Sequence, residues 1–110
     1  MAPHISLPEG TQHVFLSPHL DDVVFSCGGL IAQLTPFSKV ATVTCLTADP
    51  PKDKASWSDF VVQFHASWTS TNAELIYHAR RLEDEHAQKE VGAVPIHLGF
   101  HDGIYRDMKK

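Results

Sequence analysis

The feature that most restricts the fold of this chain is an abrupt change of period around Ser17-Pro18-His19-Leu20-Asp21-Asp22. Before it, His13-Val14-Phe15-Leu16 is a short apolar run with Gly10 ahead of it and Pro18 behind. A run of that length between turn residues reads as a buried strand of a parallel sheet. Proline cannot donate to the ladder, so the strand is expected to end at about Ser17. Beyond it, Val23, Cys27, Leu30, Ile31 and Leu34 follow the spacing of one helix face. Asp21 and Asp22 fall in the first turn of that helix, where its dipole favours negative charge. Gly28-Gly29 would weaken an isolated helix by about 1 kcal/mol each relative to alanine. The pair is read as a place where the helix packs closely on the sheet. Pro36 stops the helix.

Strand and helix are followed by Val40-Ala41-Thr42-Val43-Thr44-Cys45-Leu46-Thr47, a β-branched run that predicts a second strand. Short links between the three elements require a parallel βαβ unit, which is right-handed in nearly all cases. Ala48 to Ser58, with Asp49-Pro50-Pro51, is a loop at the same edge as the first junction. Phe60, Val61, Phe64 and Trp68 have helical spacing, with Ser58 as N-cap. Thr71-Asn72-Ala73-Glu74 has capping-box spacing and opens a longer helix. Its apolar side is expected to be Leu75, Ala79, Leu82 and His86, with Ala87 and Val91 adjoining and Gly92 as the C′ terminator. Val94-Pro95-Ile96-His97-Leu98 then forms a third strand, leading to a polar loop at His101-Asp102-Gly103.

The totals exclude several classes. With 110 residues the chain is one domain at most. A net charge of −4 and the lack of a basic patch argue against a nucleic-acid partner. No apolar run approaches the roughly 20 residues that span a bilayer, and the N-terminus has no secretory pattern. Cys27 and Cys45 sit in apolar stretches and read as buried thiols of a reducing, cytoplasmic compartment.

Ligands of open α/β sheets bind at the carboxyl ends of the strands, so the first junction is the expected site. His19 and Asp22 lie three apart across the turn and offer an imidazole and a carboxylate, a donor set suited to zinc and some other divalent transition metals. Asp21 between them is better placed to accept a proton from a water activated there. The same residues also suit helix capping and an ordinary hydrogen-bonded histidine, and a catalytic zinc normally has three protein ligands. Spacing alone leaves both readings open.

Ser17-Pro18-His19-Leu20-Asp21-Asp22 after an apolar strand, followed by Cys27-Gly28-Gly29, resembles the signature of the PIG-L/LmbE family of zinc-dependent N-acetylglucosaminyl deacetylases. Arg80-x-x-Glu83-x-x-x-Ala87 up to Val91-Gly92 resembles its second-helix pattern. His97-Leu98-Gly99-Phe100 with Asp102 and Tyr105-Arg106 resembles its next strand and substrate loop. The resemblance implies a Rossmann-like α/β fold with a parallel sheet flanked by helices, here the N-terminal portion of a larger three-layer domain. It implies removal of an N-acetyl group from an N-acetylglucosamine-type conjugate. His19 and Asp22 would be zinc ligands and Asp21 the general base, while Arg80 and Asp102 would hold sugar hydroxyls.

Two departures accompany the resemblance. Leu20 stands where the family most often has proline, and Val23 where it has glutamate. The family's third zinc histidine and its acid histidine come from a later segment, which neither His97 nor His101 matches. A self-contained small metalloprotein completed by His101, His65 or a partner subunit is one alternative; a non-catalytic module binding a sugar or protein is another. The later half of such a domain would normally cover the sheet, so an uncovered apolar edge or face capable of homo-oligomerisation is expected here.

Overall fold

A computed structural model of the protein describes residues 5–52, 57–66 and 72–105. Trp68, Thr71 and Arg106, each drawn into the sequence reading, lie outside them. The described chain runs β1 (His13–His19), α1 (Asp22–Leu34), β2 (Val40–Leu46), α2 (Asp59–Ala66), α3 (Ala73–Glu90) and β3 (Val94–His97), then a 3₁₀ turn at Gly103–Tyr105. The three strands form one parallel sheet in the order β1-β2-β3.

That order advances in one direction, so right-handed crossovers place α1 and α3 on the same face. The register agrees. Ser17, Thr44 and His97 are aligned across the sheet and share a face. Ser17 bonds to the start of α1, and His97 bonds to Asp84 on α3. The core under α1 is Val23, Ile31, Val40 and Ala93, with Phe15, Val24, Cys27, Leu34 and Val91 packed around it. Most of the expected α1 face is therefore the buried one, and Leu30 lies on its exposed flank.

Three expectations are corrected. The first concerns β1, which runs through Pro18 to His19 rather than ending at Ser17. As an edge strand it needs ladder partners on one side only, which tolerates a proline. For the same reason it is not buried: Leu16 is 71% exposed. β2, with neighbours on both sides, is the strand buried along most of its length.

The second is the Gly28-Gly29 approach. A Cβ at Gly28 would meet only Val24 at 3.7 Å, and at Gly29 it would meet nothing. The third is the buried side of α3. Leu75 is 61% exposed and Leu82 is also exposed, whereas Tyr77, Asp84 and Gln88 are buried. That stripe also has helical spacing, i, i+7, i+11, but it is polar and hydrogen-bonded, and an apolar pattern does not reveal it.

The helix ends follow their local chemistry. Asn72 is the N-cap of α3, its side chain accepting from the Leu75 N–H at 3.2 Å. Ser58 Oγ accepts from the Val61 N–H at the start of α2. Gly92 takes φ +85°, and a Cβ there would lie 2.7 Å from Thr35 Oγ1. That hydroxyl donates to the Val91 carbonyl at 2.7 Å, locking the end of α3 to the end of α1. Beyond β3, the Leu98 and Phe100 N–H groups donate to Thr44 and Cys45. Gly99, with φ +79°, donates to Thr47 Oγ1. These bonds deliver the 101–105 loop to the carboxyl edge of the sheet, beside the end of β1.

Candidate active site

β1 ends at His19 and α1 begins at Asp22, so the turn between them sits at the carboxyl edge. Its shape is set by Ser17, whose buried hydroxyl donates to the His19 carbonyl at 2.7 Å and accepts from the Val23 N–H at 3.2 Å. The Asp22 carboxylate accepts from the His19 N–H at 3.0 Å. Asp21 is the N-cap of α1, yet its side chain makes no capping bond and its backbone is left-handed, φ 73°. Its N–H is instead caught by Asp84 Oδ1 at 3.1 Å.

The histidine and three carboxylates singled out in the sequence converge here. His19 Nδ1 lies 3.5 Å from Asp22 Oδ2, and His19 Nε2 lies 3.3 Å from Asp102 Oδ2. The other Asp102 oxygen accepts from the Ile104 N–H at 3.2 Å. Asp102 is thus both a turn residue and a residue of the site. The Asp21 carboxyl is held above the ordinary carboxylate range, first by burial and then by the charge of Asp84, with smaller contributions from Glu83 and Asp22. Arg80 opposes these and lowers it.

Arg80 therefore belongs to the electrostatic surroundings of the site, and it lowers Tyr77 as well. Among the described residues it forms no ion pair with Glu83 or Asp84. Its neighbour Arg81 is tied to the β2 loop, donating to the Thr47 carbonyl at 3.0 Å and pairing with Asp49 at 2.8 Å. The loop that carries Asp102 is braced by aromatic groups. Tyr105 donates to the Tyr77 hydroxyl at 3.2 Å and is hydrogen-bonded to His65 Nε2, whose ring lies 4.4 Å from that of Trp57. Burial pushes both phenols up, so they stay protonated. Beside this cluster is a cavity of about 410 Å³ lined by Pro50, Pro51, Lys52, Trp57, His65 and Asn72 among others.

The sequence pointed to His19, Asp21, Asp22, Arg80 and Asp102, and their surroundings place all five around one junction. It did not find Ser17 as the staple of the turn, or the buried Asp84 with His97 behind it.

With this geometry in view, the likenesses to known proteins are specific. The profile of the PIG-L family, GlcNAc-PI de-N-acetylase, matches residues 14–110. The chain belongs to the PIG-L family. Among solved structures, it is similar to the A40926 pseudoaglycone deacetylase, with 35% identity and a TM-score of 0.69 over 90% of this chain and 40% of that one. It is likewise similar to the zinc-inhibited form of teicoplanin deacetylase, at 28% identity and TM-score 0.73 over 88% and 36% of the two chains. The N,N′-diacetylchitobiose deacetylase of Pyrococcus horikoshii, at 19% identity and TM-score 0.61 over 86% and 31%, shares the fold. A comparison with curated protein sequences gives no match. The chain spans about two fifths of the length of the PIG-L-fold deacetylases first named here. Among the described residues, no helix is long and apolar enough to cross a membrane.

Proposed function

We propose that the protein is a zinc-dependent deacetylase that hydrolyses the acetamide of an N-acetylglucosamine-type conjugate to acetate and a free amine. The observation that carries this reading is the His19–Asp21–Asp22 turn at the carboxyl edge of the sheet, with Asp102 3.3 Å from His19, in a chain of the PIG-L family.

His19 and Asp22 fit zinc by donor type, one imidazole nitrogen and one carboxylate already gathered at one end of the turn. They supply two of the three protein ligands usual for a catalytic site; among the described residues no group of three candidate ligands is assembled. Zinc, or another divalent transition metal, would supply Lewis-acid polarisation of the amide carbonyl. Asp21 acts as general base: its raised carboxyl takes a proton from the attacking water as the C–O bond forms. The C–N bond then breaks, and the nitrogen leaves with a proton. Asp102 accepts from sugar hydroxyls and Arg80 donates to them, roles suited to a carboxylate and a guanidinium. Residues 1–110 act as one partial deacetylase domain. The free thiols of Cys27 and Cys45 suit work in the cytoplasm.

The test is metal stoichiometry and affinity of the chain beside His19→Ala and Asp22→Ala, followed by acetate release from acetylated amino sugars. Zinc binding weakened or lost in both variants, with acetate release lost in Asp21→Asn, is the expected outcome; tight one-to-one zinc would mean that the chain completes its own metal shell. A folded chain that binds an acetylated sugar without binding metal or releasing acetate would instead make it a non-catalytic sugar-binding module.

A further inference from the structure

We propose that Asp84 is a positioning residue for Asp21, holding the left-handed turn that aims the Asp21 carboxylate; the catalytic consequence rests on the deacetylase reading above. Asp84 lies on α3, fully buried, and has no place in the proposed chemistry. Its carboxylate collects three donors. Oδ2 accepts from His97 Nε2 at 2.8 Å, and Oδ1 accepts from the Asp21 N–H at 3.1 Å and from Gln88 Nε2 at 3.5 Å. Only an ionised carboxylate among side chains of this size accepts from all three and donates to none. Two of the donors come from its own helix and from β3, which hold the carboxylate in place. The third is the backbone of the turn, 63 positions away in sequence.

Asp21 is where such a brace is needed. Among the described residues it is the one non-glycine residue with positive φ. That conformation is disfavoured for an L-residue and persists where the surroundings impose it. It also leaves Asp21 without a side-chain capping bond, so the carboxylate is available to the site. Without the bond from Asp84, an ordinary cap with a β-region backbone would be favoured at residue 21, turning its carboxylate back onto the helix N–H groups. The chain thus carries a line of support from β3 through His97 and Asp84 to the turn. It fixes the base without touching the substrate.

The experiment compares Asp84→Leu and Asp84→Asn with the unaltered 110-residue chain. Hydrogen exchange of the Asp21 amide is measured by NMR, alongside kcat and KM for acetate release from N-acetylglucosamine conjugates. In Asp84→Leu, Asp21 exchange should accelerate at least about tenfold, and kcat should fall about ten- to a hundredfold with KM within about twofold. Asp84→Asn keeps an oxygen for the Asp21 N–H and an NH₂ for the other His97 tautomer, so it should restore most of both. Unchanged Asp21 exchange in Asp84→Leu overturns the proposal. So does a parallel loss of kcat and KM performance that asparagine fails to rescue, since that is the behaviour of a scaffold residue. If Asp84→Leu does not fold, His97→Phe is read in the same way, and Asp21 exchange unaffected there is equally fatal. Absence of turnover in the unaltered chain would count against the deacetylase reading alone, and the amide measurement would still decide the role of Asp84.

Discussion

At the scale of single residues, the junction is governed by two carboxylates whose pKa values are displaced in opposite directions. Asp21 is pushed up by burial and by its acidic neighbours. Asp84 is also pushed up by burial, but the bonds from His97, the Asp21 N–H and Gln88 outweigh it and hold its carboxyl below the ordinary value. A carboxyl depressed in the folded state stabilises the fold above its unfolded pKa and loses that contribution as pH falls through the folded value. The stability gap between the unaltered chain and Asp84→Asn is therefore expected to be full at neutral pH. It should begin to close below about pH 4 and vanish in stronger acid. Urea unfolding of both proteins across that range measures it; a gap that stays constant with pH would show that Asp84 is not ionised in the fold.

At the scale of elements, glycine has two different meanings in this chain. Gly92 ends α3 in a left-handed conformation and lies against Thr35, where a methyl group has no room. Gly92→Ala is expected to cost about 1–2 kcal/mol from backbone strain alone, with the Thr35 contact adding to it. Gly29 is in the middle of α1, exposed, with open space where its Cβ would be. Gly29→Ala is expected to stabilise the protein by about 1 kcal/mol, through helix propensity. Thermal unfolding of the two variants should move in opposite directions. The pair also separates what a doublet of glycines in a helix suggests, a close approach to the sheet, from where the close approach is: at the helix end, where α3 meets α1.

At the scale of the whole molecule, a sheet with both crossover helices on one face leaves the other face to be satisfied differently. Val14 and Leu16 point away from the helices on edge strand β1 and are exposed, as is Phe25 on the outside of α1. Apolar surface of this kind favours association. The chain is expected to self-associate in a concentration-dependent way, and Leu16→Lys is expected to shift it toward monomer by analytical ultracentrifugation. A unaltered chain that sediments as a monomer at all concentrations and binds no hydrophobic dye would remove this expectation.

Much of the fold was written locally. The change from an apolar run to a helical spacing at residues 17–22 determined the first strand, the first helix and the junction between them. The β-branched run at 40–47 determined the central strand, and Gly92 the end of the last helix. Local pattern sufficed because period, turn residues and caps act within a few residues of one another. The cluster of His19, Asp21 and Asp22 was legible for the same reason. What only the tertiary structure decided depends on partners far away in sequence. Whether β1 is an edge depends on which strands flank it, so its exposure and its tolerance of Pro18 could not be read from its own residues. The buried face of α3 is polar because Asp84 and Gln88 are satisfied there by His97 and by the Asp21 backbone. Hydrophobic periodicity weighs a side chain by its affinity for water. A carboxylate whose hydrogen bonds are all met inside the protein is invisible to it until the strands and helices have been brought together.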